Sequence, residues 1–328
     1  MQNYTIKVFP HSDYDAYHKT VNSNVDAPVP LDTQARRKWW CFDNPNGGAF
    51  AVAMAGDKVA ATCYLSGKSL VLSGTSYKAY EIGETATAPE HQRKGLFSKL
   101  VKACTSYAFE EGAVAVYGTP NAQSTPGYAK LKFDIIDDPR SHLFLLPNIT
   151  GFIAPKSTDE LGGFQNKPFL SKNSYQIQTS EFFDHAKNRI RLNIFSDNYF
   201  QWRFSGLSAS RYRYYRRGEF SMAVRESHLG KYKVLMVSDF GYGNEKPNTF
   251  DAAKEIRKIL NHEFIAHKYH GIYFSSERDN LLSHFRYGLK RIIHHRSLPI
   301  CIMTNQDSNV IKKLRSIALP QLSDCDIG

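Results

Sequence analysis

Long apolar runs are missing from this sequence: no stretch approaches the ~18 residues that a membrane-spanning helix needs, which excludes a helical integral membrane protein. The opening residues Met1-Gln2-Asn3-Tyr4-Thr5-Ile6-Lys7 carry neither a basic segment nor an apolar one, so no secretory leader is expected and a cytoplasmic location is. Cysteine is scarce. The five present (Cys41, Cys63, Cys104, Cys301 and Cys325) are odd in number, widely spaced and without a CxxC pair. That excludes a disulfide framework and a zinc ribbon, and fits reduced thiols.

What is there is globular composition: 42% hydrophobic and 22% charged residues over a length of 328, enough for two domains with separate cores. The net charge of +11 is unevenly placed. Residues 1–150 carry 15 Lys and Arg against 14 Asp and Glu, whereas residues 151–328 carry 27 against 17. Such a basic half is either a solvated face or the seat of an anionic partner.

The period of the apolar residues changes along the chain. A strand is expected at Thr5–Phe9, then helices at Tyr14–Val21 and Leu31–Phe42, with Asp13 or Asp32 as caps. The turn Asp43-Asn44-Pro45-Asn46-Gly47-Gly48 closes the second helix. Ala49–Ala55 and Val59–Leu65, separated by Gly56-Asp57-Lys58, read as a hairpin, and strand-like sequence continues from Ser69 to Thr87. From Gly95 to Glu111, Leu96, Leu100, Ala103, Cys104, Tyr107 and Ala108 recur at three- and four-residue steps, and Gly112 suits a C-cap. Ala113–Tyr117 is a short buried strand, so residues 80–117 make a β-α-β unit.

The turn inside that unit carries the chemistry. A strand ends at Thr87-Ala88, a polar and basic loop follows (Gln92-Arg93-Lys94), and Gly95 opens a helix at Leu96-Phe97-Ser98. Amides at a helix start, the helix dipole and two cations together suit a pyrophosphate, and Gly95 keeps a Cβ out of the way. The run Gln92-Arg93-Lys94-Gly95-Leu96-Phe97 resembles the Q/R-x-x-G-x-G/A signature of the GNAT acyltransferases, with Phe97 where that pattern has Gly or Ala. Downstream, Asn121, a short gap and Tyr128-Ala129-Lys130-Leu131-Lys132-Phe133 resemble the family's Tyr-x-K-L-G-F ending, with Lys132 in place of Gly.

The resemblance implies an α/β GNAT fold, a mixed central sheet with flanking helices, and acyl-CoA (acetyl or another short chain) as co-substrate. It implies a pyrophosphate held by Gln92, Arg93, Lys94, Gly95, Leu96, Phe97 and Ser98. The pantetheine arm would lie along Glu84, Thr85, Ala86, Thr87 and Ala88, where the strand splays from its neighbour and supplies an oxyanion-stabilising amide. Tyr128 takes the family's general-acid position; the alternative is a core tyrosine. Glu84 is a candidate base, or else an exposed carboxylate. Asn121 is expected to shape a helix start near the cofactor. Transfer in this family is direct, so no acyl-enzyme is expected.

The second half echoes the first at a spacing of roughly 160 residues: Trp202 answers Trp40, and Phe220–Arg225, Val234–Phe240, a helix through Ala253, Ile256, Ile259, Leu260 and Phe264, and Gly271–Ser275 follow in the same order. Two GNAT-like domains are therefore expected: a catalytic one at 1–148, a connector at 149–188, and a second at 189–328 that lacks an intact loop at Gly241–Pro247 and binds the acceptor or acts as scaffold. His262, His267 and His270 have no carboxylate or cysteine to complete a set, so no metal is expected. The run Arg211-Tyr212-Arg213-Tyr214-Tyr215-Arg216-Arg217 is either a clamp for bases and phosphates or a solvated edge strand. The Trp-rich segments resemble bacterial tandem GNAT enzymes that acylate nucleotide-linked amino sugars in surface-polysaccharide pathways, which implies an amine acceptor touching Trp39, Trp40, Asn44, Trp202, Arg203, Arg211, Tyr212, Arg213 and Tyr214. The alternatives are a protein, peptide or polyamine acceptor, a non-catalytic acyl-CoA-binding module, or a nucleic-acid-associated one; neither a nucleic acid nor a membrane is the expected partner.

Overall fold

Strand β2 (Gly48–Ala55) shows how the sequence builds its core. Ala49, Ala51 and Ala53 turn to one sheet face and Phe50, Val52 and Met54 to the other, and all are buried. A strand covered on both sides reads as an unbroken apolar run. The structure, a computed structural model, describes residues 3–24, 26–28, 34–72, 75–136, 141–145, 165–166, 202, 212–217, 220–229, 232–241, 259–260, 262–263, 267, 269–275, 291–294 and 300–305. None of the described helices is long and apolar enough to cross a membrane.

The chain divides into two units, each discontinuous in sequence. The first holds β1 (Thr5–Pro10), α1 (Tyr14–Asn22), α2 (Gln34–Arg37), β2, β3 (Lys58–Leu72), β4 (Thr75–Thr87), α3 (Leu96–Glu110), β5 (Ala115–Gly118), α4 (Thr125–Lys130) and β6 (Asp134–Ile136). Its sheet runs β1-β2-β3-β4-β5-β14-β6, where β14 is Ile300–Thr304. Every neighbouring pair is antiparallel except β4 and β5. On one sheet face α3 lays down Leu96, Leu100, Val101, Cys104 and Ala108 against the small residues of β2 and β3. The other face carries Tyr17, Phe42, Phe50, Val52, Tyr64, Trp40 and Trp202.

The second unit holds β7 (Ser141–Leu145), β8 (Gln165–Asn166), β9 (Tyr212–Arg217), β10 (Phe220–Leu229), β11 (Tyr232–Gly241), β12 (Gly271–Ser275) and β13 (Arg291–His294). Its sheet, read from β8, runs β8-β9-β10-β11-β12-β7-β13, again with one parallel pair, β11 and β12. Strand for strand this repeats the first sheet. Even the bulge recurs: one extra residue lies on β4 between its partners to Thr62 and Tyr64, and one on β11 between its partners to Ala223 and Val224. In both sheets the sixth strand comes from the far side of the sequence, β14 in the first and β7 in the second.

Three expectations change. Contiguous domains at 1–148 and 189–328 do not coincide with these units, because β14 pairs with β5 and β6 while β7 pairs with β12 and β13. The helix expected over Leu31–Phe42 is α2 followed by a π-helical turn, Lys38–Phe42, with residues 31–33 and Asp32 outside the described residues. Asp13 stands at the N-cap of α1, but its side chain makes no cap bond. The connector 149–188, apart from β8, and Ala253, Ile256 and Phe264 also lie outside the described residues, whereas Ile259 and Leu260 are buried and helical.

Candidate active site

The loop before α3 is pinned at its start. Pro89–His91 form a 3-10 turn, and the buried His91 ring bonds through Nδ1 to the Tyr4 hydroxyl at 3.0 Å. Arg93 (φ 58) and Gly95 (φ 73) both adopt left-handed backbone, and the first helical bond runs from Lys99 N to Gly95 O at 3.2 Å. The amides of Leu96, Phe97 and Ser98 therefore lack helical acceptors and face out beside exposed Arg93 and Lys94, a setting for an anion. A Cβ on Gly95 would meet nothing within 4 Å, so glycine is favoured here by its φ, and the space above it is open.

Beyond the loop the sheet opens. β4 pairs with β5 only through Ala79, Tyr80 and Glu81, opposite Ala115, Val116 and Tyr117. At the vertex Gly118 packs on the Ile82 carbonyl, where a Cβ would come within 2.5 Å. From Gly83 to Thr87 the ladder of β4 runs to β3 alone, and the other edge faces the divergence. Within this stretch lies the bulge: Thr62 pairs with Ala86 and Tyr64 with Gly83, so Glu84 and Thr85 together oppose Cys63. Glu84 takes φ 50 and is exposed.

Tyr128 is brought to the same place by α4. Asn121 sets the start of that helix: its Oδ1 accepts from the amides of Gln123 (3.0 Å) and Ser124 (2.9 Å), and its carbonyl from Thr125 N (2.9 Å). Tyr128 is 4% exposed and lies edge-on to Phe97 (5.1 Å) and Phe133 (5.0 Å). Burial, then the neighbouring thiols of Cys63, Cys301 and Cys104, push its hydroxyl well above the usual tyrosine range, while Thr85 works in the opposite direction. The phenol thus keeps its proton throughout the physiological range. Phe97, the departure from the signature, folds against Gly127 and Tyr128. Lys132, the second departure, holds the left-handed φ of 66 that a glycine would adopt more easily.

The residues proposed for an acceptor separate into different settings. Trp39 and Trp202 stack at 4.9 Å, and each indole donates to the other's carbonyl: Trp39 Nε1 to Trp202 O at 2.9 Å, Trp202 Nε1 to Trp39 O at 2.8 Å. Trp40 is buried beside them, with the Lys68 ammonium 4.9 Å over its ring and Lys68 Nζ paired to Glu81 at 3.1 Å. These rings face one another and a buried ion pair. Asn44 spends its amide on Ser66 Oγ and Gly67 O, and its Oδ1 on Asn46 N, holding the turn before β2. Arg213 donates to the wholly buried Glu263 (Nε to Oε1, 2.7 Å) and to the Tyr269 hydroxyl. Tyr212 and Tyr214 lie on β9; Arg203 and Arg211 lie outside the described residues. His267 sits 3.9 Å from Glu263, and His270 Nδ1 accepts from Lys233 N at 3.2 Å; among the described residues no group of three His, Cys, Asp or Glu could hold a metal ion. Sequence reasoning missed Cys63 and Cys104, free thiols buried in one core where α3 packs on β3, and the Lys68–Glu81 pair, whose signal is two opposite charges on otherwise apolar strands.

The model of the acetyltransferase (GNAT) domain matches residues 7–136. Those residues are a GNAT domain. The match spans the loop, the divergence of β4 from β5, and Tyr128, and supports acyl-CoA-dependent N-acyl transfer as the activity of this domain. No curated protein matches the sequence. Solved structures extend the likeness of fold over 92% of the chain: a probable N-acyltransferase from Enterococcus faecalis (10% identical, 73% of that chain, TM-score 0.61) and a GCN5-related N-acetyltransferase from Anabaena variabilis (12%, 73%, 0.59). A Saccharomyces cerevisiae N-myristoyltransferase, solved with bound myristoyl-CoA, is similar at 12% identity over 92% of this chain and 80% of its own, with a TM-score of 0.54. The GNAT domain here thus sits in a fold shared by acyltransferases well beyond residue 136.

Proposed function

We propose that this chain transfers the acyl group of acyl-CoA directly to a primary amine, and that the acceptor is an amino sugar carried on a nucleoside diphosphate. The observation that carries the transfer is the placement of Tyr128 beside the bulge where β4 leaves β5. Residues Gln92–Ser98 hold the pyrophosphate, and the free edge of Glu84–Ala88 bonds the pantetheine arm and polarises the thioester carbonyl. Glu84 takes a proton from the acceptor ammonium. The amine then attacks the carbonyl carbon, the C–S bond breaks, and the departing thiolate takes the proton of Tyr128. The myristoyl-CoA held by the yeast relative supports acyl-CoA as donor.

The second unit is read as a GNAT-like copy that serves the acceptor, a reading supported by its repeated strand order and by the 27 Lys and Arg against 17 Asp and Glu in residues 151–328. A nucleoside diphosphate asks for cations, a polyamine for carboxylates. The test is thiol release from acetyl-CoA across four acceptors: a nucleoside-diphosphate-linked amino sugar, the same sugar free, a short peptide and a polyamine. The nucleotide-linked sugar should show the highest kcat/KM. Preference for the peptide or polyamine would overturn the acceptor, and a kcat unchanged by Tyr128→Phe would overturn the acid.

A further inference from the structure

The bulge in β4 decides which side chain meets Tyr128. Tyr80 and Ile82 point into the core beneath α3. Strict alternation from them would bring Glu84 to that face and turn Thr85 away. The inserted residue reverses this. Thr85 Oγ1 donates to Cys63 Sγ at 3.3 Å, and Cys63 belongs to the α3-facing core, whereas the charge of Glu84 is felt by Cys41 and Tyr64. Cys41 and Tyr64 differ from Cys63 in this respect, since Tyr64 packs on the opposite sheet face. A carboxylate beside Tyr128 would repel a phenolate, whereas a hydroxyl can donate to one.

We propose that Thr85 is a positioning residue for acyl transfer: its hydroxyl rotates from Cys63 Sγ to the Tyr128 oxygen as that phenol gives its proton to the departing thiolate. The inference rests on Tyr128 as the general acid. Thr85 bonds to Cys63, which shares the core beneath α3 with Tyr128, and its hydroxyl opposes the burial and thiol effects that hold the phenol's proton. In the balanced step the amine nitrogen bonds to the carbonyl carbon and the C–S electron pair leaves with sulfur. Sulfur takes the phenolic proton, and the phenolate is later reprotonated by the proton lost from the acylated nitrogen. The Cys63 sulfur is a weak acceptor, so leaving it for a charged oxygen is favourable.

Thr85→Val keeps the shape and removes the hydroxyl; Thr85→Ser keeps the hydroxyl. The valine variant should lose about tenfold or more in kcat, the scale of a hydrogen bond to a charged group, with acyl-CoA affinity unchanged. Serine should stay within about threefold of the parent, and in a Tyr128→Phe background Thr85→Val should change kcat less than about twofold. Melting temperatures control for folding, with Thr85→Ala used if valine lowers stability. An unchanged kcat in Thr85→Val, or the same loss in both backgrounds, would overturn the inference. Slowing by Tyr128→Phe with none by Thr85→Val would leave the acid in place and remove only Thr85; no slowing by Tyr128→Phe would remove both.

Discussion

Gly127→Ala tests how the GNAT loop accommodates phenylalanine at position 97. A Cβ on Gly127 would stand 2.6 Å from Phe97 Cε1, with Cδ1 and Cζ at 3.1 and 3.3 Å. Carbon atoms sit best at about 3.5–4.0 Å, so the ring must withdraw by close to 1 Å. It lies edge-on to Tyr128, which is itself braced by Phe133, so the retreat disturbs a packed row. Overpacking of this kind costs about 1–3 kcal/mol, while exchanging glycine for alanine inside α4 gains about 0.8–1 kcal/mol of helix propensity. The net in the parent is destabilisation of about 0–2 kcal/mol. In a Phe97→Ala background the clash is gone and only the gain remains, so the same substitution should stabilise by about 0.8–1 kcal/mol. The coupling energy, about 1–3 kcal/mol, is read from urea unfolding of the four proteins, and kcat should fall in Gly127→Ala alone because Tyr128 moves with the ring. Equal effects in both backgrounds would mean that Phe97 does not fill the space beside Gly127.

Gly95→Val forces a β-branched residue to a φ of 73 and should weaken acyl-CoA binding by about 1–3 kcal/mol; unchanged affinity by calorimetry on folded protein would remove the loop from the donor site. Trp202→Ala deletes a 9%-exposed indole that stacks on Trp39 and donates to its carbonyl, at an expected cost of about 3–5 kcal/mol in chemical unfolding; a loss under about 1 kcal/mol would make the pair a surface contact. Lys132→Gly should raise stability by about 0.5–1 kcal/mol, because the left-handed φ of 66 is strained for lysine, and a lower Tm would show that the lysine side chain holds the turn.

The β-α-β unit was legible because its period switches from two to 3.6 between Thr87 and Leu96, with glycines at both helix ends that do adopt positive φ, Gly95 at 73 and Gly112 at 80. That the loop and Tyr128 belong to one domain was legible from motif spacing, and the family match covers both. The bulge was not, since counting from Ile82 assigns Glu84 and Thr85 to the wrong faces and only the pairing with β3 reveals the extra residue. Tryptophans read as open platforms because composition does not tell whether a ring's face is already taken, and here the partner of Trp39 lies 163 positions away. Ile300–Thr304 look like any short buried strand; which sheet receives them is a long-range pairing that local pattern does not encode.

The exchange of sixth strands bears on how this chain is made. A ribosome adding about 5–20 residues per second emits β5 and β6 roughly 8–36 s before β14, the strand that fits between them. During that interval the nascent chain carries an unpaired edge along Ala115–Gly118, whose residues are all buried in the finished protein. Such an edge is a template for pairing with another chain. Closing the first sheet therefore waits on a strand that lies more than 150 residues downstream, a long-range pairing of the kind that slows folding.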